Sequence, residues 1–189
     1  VVNMAHLALG SNFCSEDPNE MQAVLDLMLE QKKCVKVYSS EGINDRLKSG
    51  EVIMHAHWDG YSQVGKWEYM DDLTYAYPKE GVVGWFDSLV MPKGAKNVKE
   101  AKAFMNFLMD PENMAILSNN AAYANAIPES QKYLSDKMKN ATNIQVPDGV
   151  PVVFGQACNE KAQSLIDKVW TRVMPVSYTH LRAHETLIY

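Results

Sequence analysis

The 189-residue sequence is poor in cysteine, has no surplus of positive charge and contains no long apolar run, and each shortage removes a class of protein. Three cysteines, Cys14, Cys34 and Cys158, are too few for the disulfide framework of a small secreted scaffold. They leave two readings open: a Cys14–Cys34 bridge in an oxidising compartment, or buried free thiols, the common state of isolated cysteine. A net charge of −5 speaks against nucleic acid as a partner. No stretch approaches the ~20 apolar residues of a membrane span. There is no Gly-rich phosphate loop, and Ser39 and Ser40 lack the Gly-x-Ser-x-Gly elbow of a hydrolase nucleophile. Internal repeats and low-complexity linkers are also missing.

What remains is the pattern of an α/β protein. The run Asp17-Pro18-Asn19-Glu20 opens a helix, with Asp at the cap, Pro in the first turn and Glu after it. Met21, Val24, Leu25 and Met28 then recur at helical spacing, so one face is buried. Val1 to Leu9 reads as a helix closed by Gly10, Ser40 to Lys48 as a short helix stopped by Gly50, and Asn159 to Met174 as the last helix. Helices also follow Asn97 and Asp110-Pro111, with short helical pieces from Pro128 to Asn140. Strands are expected at 35–38, 51–58, 73–77 and 82–91, and their alternation with helices argues a largely parallel sheet.

The most informative stretch is Gly81 to Pro128. Within it Asp87 follows Trp85 and Phe86 in an apolar run that reads as a buried strand. A buried carboxylate without a partner is costly, so it is either paired or placed for a cation. Aromatic faces beside a carboxylate suit an organic ammonium, through cation–π attraction and an ion pair.

The blocks Trp85-Phe86-Asp87-Ser88, Met91-Pro92, Ala95-Lys96-Asn97, Phe107-Leu108, Asp110-Pro111 and Tyr123-Ala124-Asn125-Ala126 resemble the bacterial periplasmic putrescine/spermidine-binding proteins. The upstream run Ser39 to Val52, followed by Trp58 and Gly60, is similar to the same family in the same order. The resemblance spans roughly 1–174. It implies a type II periplasmic binding protein-like α/β fold with two lobes in the whole protein, of which this chain is a C-terminal fragment. On that template residues 1–84 belong to the second lobe, 85–134 cross back to the first, and 135–174 return to the second. The chain opens at Val1 without Met, so a missing signal peptide says nothing about secretion.

The resemblance further implies a periplasmic, monomeric receptor that captures a polyamine of the spermidine/putrescine class. It would deliver this ligand to an inner-membrane ABC permease, with no cofactor, no metal and no catalysis. Trp58, Asp87 and Tyr123 occupy family ligand positions, Trp85 an aromatic wall, with Asp59 and Tyr61 as neighbours. Tyr61 stands where putrescine-type members tend to carry an acid. The nearest acid, Asp59, would point to the other side of an extended segment. Spermidine, another diamine or a different cationic solute therefore stay open as ligands.

Two further patterns stand beside this reading. His55, His57 and Asp59 share one face if the segment is a strand, and could converge on zinc as in a metal-dependent hydrolase. Pro175 to Tyr189 continues no period and reads as translated sequencing-adapter sequence. There His180 and His184 have a helical metal spacing without a third ligand.

Overall fold

A computed structural model describes residues 1–174, so the adapter reading of the tail and its histidine pair lie outside the described residues. The chain divides into two compact units, the first formed by 1–38, 78–85 and the chain from Pro151 on, the second by 39–77 and 86–150.

The first unit holds α1 (Val2–Leu9), α2 (Pro18–Lys32), β1 (Val82–Gly84), β2 (Val152–Phe154) and α8 (Glu160–Val173). Helix α2 starts where its sequence says it should, because the Asp17 side chain accepts from the Asn19 N–H at 2.8 Å. Its apolar face, Met21, Val24, Leu25 and Met28, is buried against Val2 and Ala5 of α1 and Val169 and Val173 of α8. Each such side chain contributes about 1.5–3 kcal/mol on leaving water, which makes this the main cohesion of the unit. Tyr38 meets Trp170 edge-on at 5.5 Å on its margin. Gly10 closes α1 in the left-handed region at φ 68°, as expected of a helix-ending glycine.

The cysteines correct both sequence readings. Cys14 is bonded to Cys158, and Cys34 is free and exposed. Cys14 precedes α2 and Cys34 follows it, so a 15-residue helix separates them, about 22 Å at its usual rise. A disulfide spans less than about 7 Å between Cα atoms, whereas Cys14 and Cys158 are 5.2 Å apart. Around the bond Glu16 pairs with Lys161 at 2.8 Å and accepts from Asn159.

Strands are fewer than expected. Among the described residues one sheet exists, the parallel pair β1–β2, with Val82 opposite Val152 and Gly84 opposite Phe154. The segments 35–38, 51–58 and 73–77 form no ladder, and 82–91 is a strand only to Gly84. Beyond it Phe86 is 77% and Val90 80% exposed, so the buried-strand reading of the Asp87 run is corrected. A short apolar run does not by itself reveal what covers it.

The second unit is helical: α3 (Ile43–Lys48), α4 (Asp59–Glu68), α5 (Val98–Met109), α6 (Pro111–Ala121), a 3-10 turn (Pro128–Tyr133) and α7 (Asp136–Lys139). Asp110 caps α6 through the N–H groups of Glu112 and Asn113. Ala115, Leu134, Met138 and Ala141 form its core, with Trp67 and Ile144 packed on them. Helix α4 has no counterpart among the expected elements, because Gly60 and Gly65 lower its intrinsic helix propensity. No helix among the described residues is long and apolar enough to cross a membrane.

Candidate functional site

The candidate site gathers at the start of α4. Trp58 is its cap residue in extended conformation, and Asp59 opens the first turn, its carboxylate accepting from the Gly60 N–H at 2.8 Å. Because the segment enters a helix, successive side chains turn by about 100° rather than about 180°. Asp59 therefore lies about 100° from Gly60 and about 200° from Tyr61, nearly the opposite face of α4.

Gly60 is the seat of Tyr123. A Cβ at residue 60 would stand 2.6 Å from Tyr123 Cδ1 and 2.7 Å from Cε1, well inside van der Waals contact. The Trp-x-Gly block and the Tyr-Ala-Asn-Ala block, with Gly60 and Tyr123 63 positions apart in the chain, thus meet through the one residue without a side chain. Tyr123 is held from its own side as well. Ala122 before it adopts φ 59° as the left-handed end of α6, its N–H bonded to the Ser118 carbonyl at 2.9 Å. Asn125 after it donates to Ser118 Oγ at 2.8 Å and accepts from Ser130 Oγ at 3.0 Å and the Ile127 N–H at 2.9 Å.

Gly60→Ala should destabilise the second unit and displace the Tyr123 ring. Overpacking costs about 1–3 kcal/mol, and the better helix propensity of alanine offsets at most about 1. Urea unfolding together with the Tyr123 ring resonances measures both effects. A variant as stable as the parent with an unmoved ring would contradict this packing.

Two residues that the sequence reading did not single out join the site. The Tyr75 hydroxyl donates to the His57 carbonyl at 2.9 Å, and its ring meets Tyr77 edge-on at 5.0 Å. Tyr77 in turn donates to the Asn143 carbonyl, and the Asn143 N–H donates to Gln63 on the buried side of α4 at 3.1 Å. The only sequence signal was the spacing of two tyrosines with Ala76 between them, which reads equally as a strand.

Electrostatics follow from this crowding. Burial raises the Asp59 carboxyl above its ordinary pKa, opposed by the Gly60 N–H. Burial, then the charges of Asp59, Tyr77 and Tyr123, push the Tyr75 phenol up to about 12. Tyr123 is raised by burial and by the charges of Asp59 and Asp87, so both carboxylates act on one phenol. Asp87 itself is exposed, as are Trp58 and Tyr61. Trp85 is the last residue of the 78–85 segment of the first unit and is also exposed.

The two histidines do not build a metal site. His57 Nδ1 accepts from the Trp58 N–H at 2.9 Å, and His55 Nδ1 is engaged by the Ala56 carbonyl. The rings stand 5.6 Å apart, and His57 packs edge-on against Tyr61 at 5.0 Å. Among the described residues no three His, Cys, Asp or Glu are grouped to hold a metal. The hydrolase reading therefore gains no support, since segment 51–58 is not the strand on which it depended.

Burial and the neighbouring His55 hold His57 down at about 4, against 6.5 for a free imidazole. The unfolded chain binds the extra proton between these values, so this contribution to stability is complete above 6.5 and declines as pH falls toward 4. Buried His6 in the first unit is shifted the same way by burial. Urea midpoints at pH 7.5 and pH 5 should differ less for His57→Gln than for the parent. An equal difference would deny His57 this role.

Comparison with known proteins adds the family. The profile described as "Bacterial extracellular solute-binding protein" matches residues 1–146. The putrescine-binding periplasmic protein of Escherichia coli K12 is 27% identical over 180 residues, covering 86% of this chain and 47% of that protein. A spermidine/putrescine-binding periplasmic protein of Salmonella typhimurium is 28% identical over 160 residues, covering 85% and 45% respectively. A putrescine-binding periplasmic protein of Pseudomonas aeruginosa is 26% identical over 172 residues, covering 87% and 47%. The chain thus spans about half the length of the curated relatives it matches.

Proposed function

The chain belongs to the bacterial extracellular solute-binding protein family, and from that premise we propose that it is the C-terminal part of a two-lobed periplasmic receptor for a polyamine. The bound ligand is of the spermidine/putrescine class, and a membrane-bound ABC permease receives it. The observation that carries this reading is the meeting of two separate blocks at Gly60, which seats the Tyr123 ring on the first turn of α4, where the charges of Asp59 and Asp87 both act on its phenol.

A polyamine is a methylene chain bearing several ammonium groups. Aromatic walls suit the methylenes, each cation–π contact contributing about 0.5–2 kcal/mol. Carboxylates suit the ends, at about 1.5–3 kcal/mol for a charge-assisted hydrogen bond. Trp58 and Tyr123 supply walls, and Asp87 supplies charge. The receptor works by binding and release: ligand favours the closed lobes by the difference in its contacts between the two states. No chemical step is assigned to any residue. Names of relatives at similar coverage support the ligand class.

Thermal shift on the complete receptor tests the proposal. Spermidine or putrescine should raise the melting temperature, and zinc should not. A rise with zinc alone would point back to His55, His57 and Asp59.

A further inference from the structure

Helix α4 buries two glycines and two polar side chains, Gly60, Gly65, Ser62 and Gln63, where a surface helix ordinarily buries an apolar stripe. Apolar packing enters in its last turn, where Trp67 lies on the core of Ala115, Leu134, Met138 and Ala141. The other end, which carries Trp58 as its cap residue, is fastened by hydrogen bonds. Asn143, only 4% exposed, is their joint. Its N–H donates to Gln63 Oε1 at 3.1 Å, its Nδ2 donates to Ser62 Oγ at 3.4 Å, and its carbonyl accepts from the Tyr77 hydroxyl. The Asn44 amide donates to the Tyr61 carbonyl at 3.3 Å, and Gly65 seats the same amide.

Apolar burial is non-directional, so it holds a helix without fixing its rotation. Hydrogen bonds have a direction, and a buried one is costly to leave unmade. From this arrangement we infer that Gln63 and Tyr77, joined through the backbone of Asn143, are positioning residues for the ligand wall: they set the rotation of α4 and hence the direction of Trp58. A side chain at the rim of a helix stands about 5–6 Å from its axis, so a turn of about 20° moves it by about 2 Å. Binding constellations need placement within about 0.5 Å. Gln63 is 2% exposed and acts through Trp58 rather than on the ligand. The inference rests on the polyamine reading for the ligand, and on the hydrogen bonds alone for the placement of Trp58.

Two variants of the complete receptor test it. Gln63→Met keeps the length of the side chain without its acceptor, and Tyr77→Phe removes only a hydroxyl. In the unliganded receptor the Trp58 indole N–H resonance should move in both. Calorimetry should show the amine that the parent binds, putrescine or spermidine, weakened about threefold or more in each. That loss should vanish in a receptor already carrying Trp58→Ala, which a merely structural role would not produce. If Trp58 moves but the parent binds neither amine, the placement role stands and the polyamine reading falls. An unmoved Trp58 resonance in both variants, unchanged affinity for an amine that the parent binds, or a loss that persists in full without Trp58 would overturn the inference.

Discussion

Removing the Cys14–Cys158 bond should cost the first unit about 2–5 kcal/mol, the largest stability change expected of any substitution considered. The bond closes a chain separation of 144 residues. Chain-entropy arithmetic for a loop of that length gives about 5 kcal/mol, and measured disulfides usually deliver less. It joins the turn before α2 to the segment before α8, next to the Glu16–Lys161 pair. Those helices share the core of Val24, Leu25, Met28, Val169 and Val173. Urea unfolding of a Cys14→Ser/Cys158→Ser variant, followed by Trp170 fluorescence, measures the effect. An unchanged midpoint, or an air-oxidised parent carrying three free thiols, would show that the bond is not part of the native protein. A structural disulfide also fits an oxidising compartment, in keeping with the periplasmic assignment proposed above.

The second large effect is on binding. Asp87→Asn removes a charge and keeps the shape. Asp87 is exposed and lies outside any strand or helix, so the fold does not depend on it and the melting temperature should hold. On the proposed reading, the ligand's ammonium would desolvate it in the closed receptor. Polyamine binding should then weaken by about 2–5 kcal/mol, the cost of stranding one member of a buried charge pair. Trp58→Ala should cost less, about 1–3 kcal/mol, because apolar and cation–π contact is lost without leaving a charge unpaired. Calorimetric titration of the complete receptor separates the two. Equal affinity for Asp87→Asn and the parent would remove Asp87 from the site and leave Asp59 as the candidate acid.

Local chemistry carried the legible part of the fold. Asp17-Pro18 and Asp110-Pro111 start helices because a carboxylate meets free N–H groups while proline gives up a donor that has no partner there. The stripe Met21, Val24, Leu25, Met28 likewise announced the buried face of α2. Helix α4 was hidden for the opposite reason. Its two glycines look like breakers, yet each makes room for a neighbour, Gly60 for Tyr123 and Gly65 for the Asn44 side chain, 2.6 Å from a Cβ built there. That requirement is set by residues far away in the chain and leaves no local period.

The same limit applies to the site. Trp58, Asp87 and Tyr123 could be picked out from their blocks, but the placement of Asp59 in a helical first turn depends on α4 beginning at residue 59. Tyr75 and Tyr77 join through a hydroxyl bonded to a backbone carbonyl, a contact that no sequence pattern encodes. The burial expected of Asp87 fails because an apolar run does not specify what covers it, and Phe86, Leu89 and Val90 are exposed. Cysteine pairing is equally non-local, since only the fold brings 14 and 158 together.

The most direct measurement is a calorimetric titration of the complete receptor carrying this sequence, with spermidine and with putrescine, for the parent and for Trp58→Ala/Asp87→Asn. The account predicts saturable one-to-one binding of at least one of these amines by the parent, with that binding lost in the double variant at an unchanged melting temperature. Absence of polyamine binding by the parent, or equal binding by the double variant, would contradict it.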